Sequence, residues 1–146
     1  MKQFFFIITF LLLCGKAFCQ SLTVDEISAM VTGSDNKSFL VSKGFALCND
    51  CLGEGSLYGY QKNRGTPDEE TVVFYAKSFD YMSHSLKFIN TLMDQAKDKY
   101  KLVKTAQQDD SADDSKSLKS YWFANGSVMM SFIIFKSFGL ISIGPK

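Results

Sequence analysis

Histidine and tryptophan each occur once in this chain, and neither charge sign is in real excess. Each scarcity removes a class of function. A lone His84 leaves no imidazole pair for a histidine-based metal centre, and a structural zinc site usually takes four Cys or His ligands. A formal net charge of +1 supplies no basic field to hold a phosphate backbone, so nucleic acid is not an expected partner. Long apolar runs are also scarce. Only residues 4–13 (FFFIITFLLL) form one, and at roughly ten residues it falls short of the ~20 that a spanning helix needs.

What the amino terminus does have is the layout of an export signal. Lys2 gives a positive start, residues 4–13 the apolar centre, and Ala17-Phe18-Cys19 puts small residues at the −3 and −1 positions of a cut before Gln20. Residues 1–19 are therefore expected to be a signal peptide. Residues 20–146 then form one periplasmic or secreted domain, long enough for a single core and without a membrane span after cleavage. Loss of Lys2 and Lys16 lowers the formal charge by two, to −1. Of the four cysteines only Cys48 and Cys51 remain, an even count that reads as one disulfide in an oxidising compartment.

The mature chain opens on Thr23-Val24-Asp25-Glu26, a capping box, with Leu22 and Ile27 at the hydrophobic-staple positions. A short helix is expected there, stopping at Gly33. A second one, capped by Ser34 or Asp35, ends at Gly44. Residues 56–61 and 71–77 read as strands, the latter apolar on both faces. From Ser83 or Ser85 to about Lys99, Leu86, Ile89, Leu92, Met93, Ala96 and Tyr100 recur at helical spacing. About four strands follow: residues 102–106, the pair 118–124 and 128–135 around Asn125-Gly126, a preferred type I′ turn sequence, and residues 138–143. Runs of strands without alternating helices predict an α+β domain. The expected form is one antiparallel sheet of about six strands, one long helix packed on a face, and two short helices at its start.

Four stretches span much of this domain: Leu22-Thr23-x-Asp25-Glu26-Ile27, Leu40-x-Ser42-Lys43-Gly44-Phe45, Tyr58-Gly59-Tyr60-x-Lys62-Asn63 and Tyr100-Lys101-Leu102-Val103-Lys104. With the Phe/Leu-rich leader, they resemble small exported proteins of unknown function common in the Bacteroidetes. The resemblance implies an α+β sheet protein in the periplasm or outside the cell. It carries over no catalytic residues, and Cys48-Asn49-Asp50-Cys51 lies outside its pattern.

Cys48-x-x-Cys51 is the sharpest motif. In a redox enzyme a helix amino terminus and a nearby proline lower the first thiol's pKa, so that a thiolate can attack. Here the pair follows Phe45-Ala46-Leu47, runs into Leu52-Gly53-Glu54-Gly55 and has Asp50 within it, so it reads first as a structural clip, with redox and metal roles as alternatives. His84 between Ser83 and Ser85 would support a hydrolase only with a nucleophile and an orienting carboxylate gathered in space; capping explains the serines. The acidic run Asp109-Asp110-Ser111-Ala112-Asp113-Asp114 lacks the turn glycine and distal glutamate of an EF-hand.

No catalytic residue, metal ligand or cofactor is assigned. Tyr58, Tyr60, Tyr121, Trp122 and Phe123 supply aromatic area on strands, where an uncovered sheet face makes a binding platform. The expected function is an exported, non-catalytic binding or interaction module, of which an inhibitor or immunity protein is one form. Its partner would be a protein or cell-envelope component. The alternative is a secreted thiol–disulfide protein using Cys48 and Cys51.

Overall fold

Thr23 starts the domain as the sequence implies. Its backbone N–H donates to Glu26 Oε2 (2.8 Å), and the Glu26 N–H donates back to Thr23 Oγ1 (3.3 Å). Leu22 and Ile27, the staple pair, are both buried. The computed structural model describes residues 22–107 and 119–146; the expected leader and the acidic run 109–114 lie outside them. In chain order the elements are α1 (Val24–Ala29), α2 (Asn36–Ser42), β1 (Ala46–Cys48), β2 (Tyr58–Lys62), β3 (Glu70–Phe74), β4 (Phe79–Ser83), α3 (Leu86–Lys99), β5 (Lys101–Gln107), β6 (Lys119–Asn125), β7 (Val128–Ile134) and β8 (Gly139–Pro145).

The architecture is α+β with a single antiparallel sheet, in the order β1-β2-β3-β4-β8-β7-β6-β5. It has eight strands, not about six. The two additions are β1 and β4. Only three residues long, β1 leads straight into the cysteine turn, too short for a periodic signal. In β4, Phe79, Tyr81 and Ser83 are buried while Asp80 and Met82 are partly exposed, an alternation hidden by a strand-averse aspartate and by serines that resemble helix caps. The preceding strand stops at Phe74 instead of running to residue 77, because the Tyr75 N–H donates to the Ser78 carbonyl (2.8 Å) and turns the chain. The β6–β7 hairpin also closes one residue later than expected. Asn125 pairs with Val128, so Gly126 and Ser127 are central, and Gly126 takes φ +57°. Glycine in the first central position is the type II′ arrangement, not type I′.

β1–β4 and β5–β8 form two four-strand meanders joined along β4–β8, where Tyr81 lies opposite Ile141. The halves correspond pair for pair. Phe74 and Phe79 close the β3–β4 hairpin as Ile134 and Gly139 close β7–β8, and Phe135 N–H donates to the Phe138 carbonyl (2.9 Å) as Tyr75 does to Ser78.

Strand registers divide the side chains into two faces. One carries Tyr60, Val72, Tyr81, Ile141 and Phe132 in one cross-strand row and Phe74, Phe79, Ile143, Met130 and Phe123 in the next. All ten are buried, and the apolar residues of the helices join them in one core. The fit is close at Gly139: a methyl there would stand 2.7 Å from both γ-carbons of Ile89 on α3. The core also takes in Glu70, which accepts from the Tyr81 hydroxyl. Burial, reinforced by the Glu70 charge, pushes the Tyr81 phenol well above its ordinary pKa. The Lys62 ammonium is buried over the Phe45 ring, 5.6 Å from its centroid, a cation–π contact.

α1 is tied to α3 by the Val24 N–H donating to Gln95 Oε1 (3.2 Å) and by an ion pair between Asp25 and Lys99. α2 starts at Asp35, which accepts from the Ser38 N–H (3.1 Å), and ends before Gly44 at φ +87°. That left-handed residue is what a helix stop asks of glycine. Among the described residues, all three helices pack on the Tyr81 side of the sheet.

Candidate functional site

Because a strand alternates sides, the residues between the core positions form the second face. Its first row crosses the sheet as Gln61, Thr71, Met82, Leu140, Ile133 and Ser120; its second as Gly59, Val73, Asp80, Ser142, Ser131 and Trp122. Met82, Leu140 and Ile133 are adjacent and partly exposed, as are Val73, Trp122 and Met129 around them. A solvated antiparallel face is normally polar. This one has an apolar centre.

Polar groups are built into that centre. Ser142 Oγ donates to Asp80 Oδ1 (2.6 Å), and Ser131 Oγ to the Ser142 carbonyl (3.4 Å). The Tyr75 phenol is pushed up by burial and by the charge and hydrogen bond of Asp80. At the β6 end the Lys104 ammonium sits 5.1 Å from the Trp122 ring centroid. The surface thus offers an apolar row, a hydrogen-bonded carboxylate and a cation–aromatic pair.

The five aromatic residues singled out in the sequence do not share a face. Trp122 is on the open side. Tyr60 and Phe123 face the helices and are buried, so neither can meet a partner. Tyr121 is partly buried on the helix side, packed against the core. Tyr58, 39% exposed, also belongs to that side and stacks on Phe74 with centroids 4.7 Å apart. The residues that sequence reasoning missed are Met82, Leu140, Ile133 and Asp80. Alternation in FDYMS and in Leu140–Ile143 carries the signal, but Met82 and Asp80 become neighbours of Leu140 and Ser142 only because β4 pairs with β8.

Cys48 and Cys51 are joined, with Cα atoms 5.7 Å apart. Cys48 ends β1 and Cys51 lies in the following turn, so neither cysteine belongs to a helix. Neighbouring Asp50 is paired with Arg64. The clip folds onto the sheet over Gly59, where an added methyl would meet Cys51 Sγ at 2.6 Å; a side chain there would displace it. Beside it a cleft of about 450 Å³ is lined by Leu47, Asp50, Gln61 and Arg64 among others. His84 is exposed, its backbone N–H donating to the Glu69 carbonyl (3.1 Å) and its ring 6.3 Å from that of Phe138. Among the described residues there is no group of three or more His, Cys, Asp or Glu able to hold a metal, and no helix long and apolar enough to cross a membrane.

No protein-family model matches the chain, and no curated protein or solved structure is significantly similar to it.

Proposed function

We propose that this protein is an exported, non-catalytic binding module that engages a protein or cell-envelope component through the open face of its sheet. Residues 1–19 act as its leader, and the domain works in the periplasm or outside the cell, as its resemblance to exported Bacteroidetes proteins implies. One observation carries the reading: with every described helix on the Tyr81 side, the other face keeps the apolar row Met82–Leu140–Ile133 partly exposed on paired, central strands. Contiguous exposed apolar area rimmed by polar groups marks interaction surfaces. Trp122 with Lys104, and Asp80 with Ser142, supply the aromatic anchor and the directional contacts that a hot spot needs. An apolar row flanked by fixed polar contacts fits an inhibitor or an immunity protein.

The test is affinity capture from envelope and secreted fractions with the mature protein, run beside two variants. Leu140→Glu with Trp122→Ala alters only the open face. Cys48→Ser with Cys51→Ser removes the clip. The expected result is a partner retained by the second variant and lost by the first, with both variants giving native circular dichroism. A partner held equally by the open-face variant sinks the proposal.

The competing reading, a secreted thiol–disulfide protein, rests on the proximity of Cys48 and Cys51. It predicts a reductase or isomerase activity that the cysteine variant abolishes. A reduction potential below about −300 mV, the range of structural disulfides, eliminates it.

A further inference from the structure

We infer that the Cys48–Cys51 clip is a thiol-sensitive latch: closed by its disulfide, it covers Gly59 at one end of the open face, and reduction by a dithiol swings it away. What the movement does for binding rests on the open-face reading; the movement itself does not.

Gly59 heads the row Gly59–Val73–Asp80–Ser142, on the side opposite the described helices. It is nevertheless buried, while Val73, Asp80 and Ser142 are partly exposed. What lies over it is the clip: a methyl on Gly59 would stand 2.6 Å from Cys51 Sγ and 3.1 Å from Leu52 Cδ2. The two ends of the clip are held unequally. Cys48 is 7% exposed and belongs to the β1–β2 ladder, where its partner is Gly59 itself. Cys51 is partly exposed, lies outside any strand and runs into Leu52-Gly53-Glu54-Gly55, whose two glycines give the backbone freedom of a hinge.

The disulfide is what holds Cys51 down. Bonded sulfurs stand far closer than two thiols in van der Waals contact, so breaking the bond forces them apart. Cys48 is fixed in the ladder, and Gly59 with the sheet behind it blocks Cys51 from moving inward. The direction left is outward, off Gly59. The turn is also tied by the Asp50–Arg64 ion pair, but both side chains are more than half exposed, where such a pair holds little.

A reductant has a way in, because Cys48 lines the cleft of about 450 Å³. A thiolate of the dithiol attacks one cysteine sulfur and the S–S bond breaks; the other cysteine leaves as a thiolate and takes up a proton. The dithiol's second sulfur then displaces the first cysteine and closes its own disulfide. Two electrons and two protons pass from the dithiol to the clip. An oxidising compartment keeps the latch shut; where dithiols act, Gly59 joins the open face beside Val73.

The test uses isotope-labelled mature protein in nuclear magnetic resonance: oxidised, after millimolar dithiothreitol, and after reoxidation, with free thiols counted in each state. The expected result is an Overhauser contact between the Cys51 β- and Gly59 α-hydrogens that is lost on reduction and regained on reoxidation. Shift changes should be confined to residues 47–61 and Val73, with Met82, Leu140 and Trp122 unmoved. Oxidised Gly59→Ala, whose methyl displaces the sulfur and leaves both cysteines in place, should move Leu52 and Val73 toward their reduced wild-type positions. Cys48→Ser with Cys51→Ser should show the released pattern from the start and ignore dithiothreitol. Four outcomes overturn the inference: a clip that resists dithiothreitol until urea unfolds the domain; a Cys51–Gly59 contact that survives complete reduction; loss of native dispersion throughout on reduction; or a cysteine-free variant that matches the oxidised wild type. None of them touches the open-face reading, which fails on its own capture test.

Discussion

Gly139→Ala tests how the helix layer is seated. The added methyl would meet Ile89 Cγ1 and Cγ2 at 2.7 Å and Cβ at 3.1 Å, and Ile89 is fully buried. Overpacking of this kind costs ~1–3 kcal/mol. An opposing term exists: Gly139 is not among the positive-φ glycines, so alanine fits its backbone and restricts the unfolded chain, a gain of ~0.4–1 kcal/mol. The net expectation is a loss of about 1–2 kcal/mol. The partner substitutions sharpen the test. Ile89→Val keeps both clashing γ-carbons and should not relieve the strain; Ile89→Ala removes them, leaving room for the new methyl. Alone, Ile89→Ala should cost ~2–5 kcal/mol through the cavity it leaves. The Gly139→Ala/Ile89→Ala double variant should therefore be more stable than additivity predicts, by about 1–3 kcal/mol, while Gly139→Ala/Ile89→Val should be additive. Urea unfolding followed by fluorescence of Trp122, the sole tryptophan, reads the wild type and all five variants. A neutral Gly139→Ala, or additivity with Ile89→Ala, would refute the seating of α3 on β8.

Cys48→Ser with Cys51→Ser should lower stability by about 2 kcal/mol or less, the chain-entropy value for so small a loop, and leave the far-ultraviolet spectrum unchanged; a loss of folding would show that the clip organises the β1–β2 edge. Glu26 sets an acid limit. Burial raises its pKa, but hydrogen bonds from Lys43 and Thr23 and the Lys43 charge outweigh this, so the folded value lies below the ordinary one. The stability it contributes is present above the unfolded value of about 4.3 and is lost as pH falls through the folded value. Asp35, held down by the Ser38 N–H, acts in the same direction. Glu26→Gln should cost about 1 kcal/mol at pH 7 and flatten the stability profile below pH ~5. A wild-type profile flat to pH 3, measured by chemical denaturation, would contradict that assignment.

Local chemistry made several features legible in the chain alone. The Thr23–Glu26 box, the Asp35 cap and the Gly44 stop depend on groups within a few residues of one another, so their hydrogen bonds form wherever the segment is placed. The α+β class follows from unbroken runs of strands, and the disulfide distance between Cys48 and Cys51 from their spacing. What depended on distant partners was not legible. β4 acquires its identity from β3 on one side and β8 on the other, and FDYMS lies between the expected strand 71–77 and the expected helix. Alternation separated Trp122 from Tyr121 and Phe123 but could not say which side the helices would cover. That choice buried Tyr60 and Phe123 and left Met82, Leu140 and Ile133 partly exposed. The amino-acid order determined the caps, the helix stop at Gly44 and the two-sided strands, because each is a short-range steric or hydrogen-bonding preference. Only tertiary structure decided the β4–β8 junction and the face that the described helices cover, because these depend on burial competing among segments far apart in the chain.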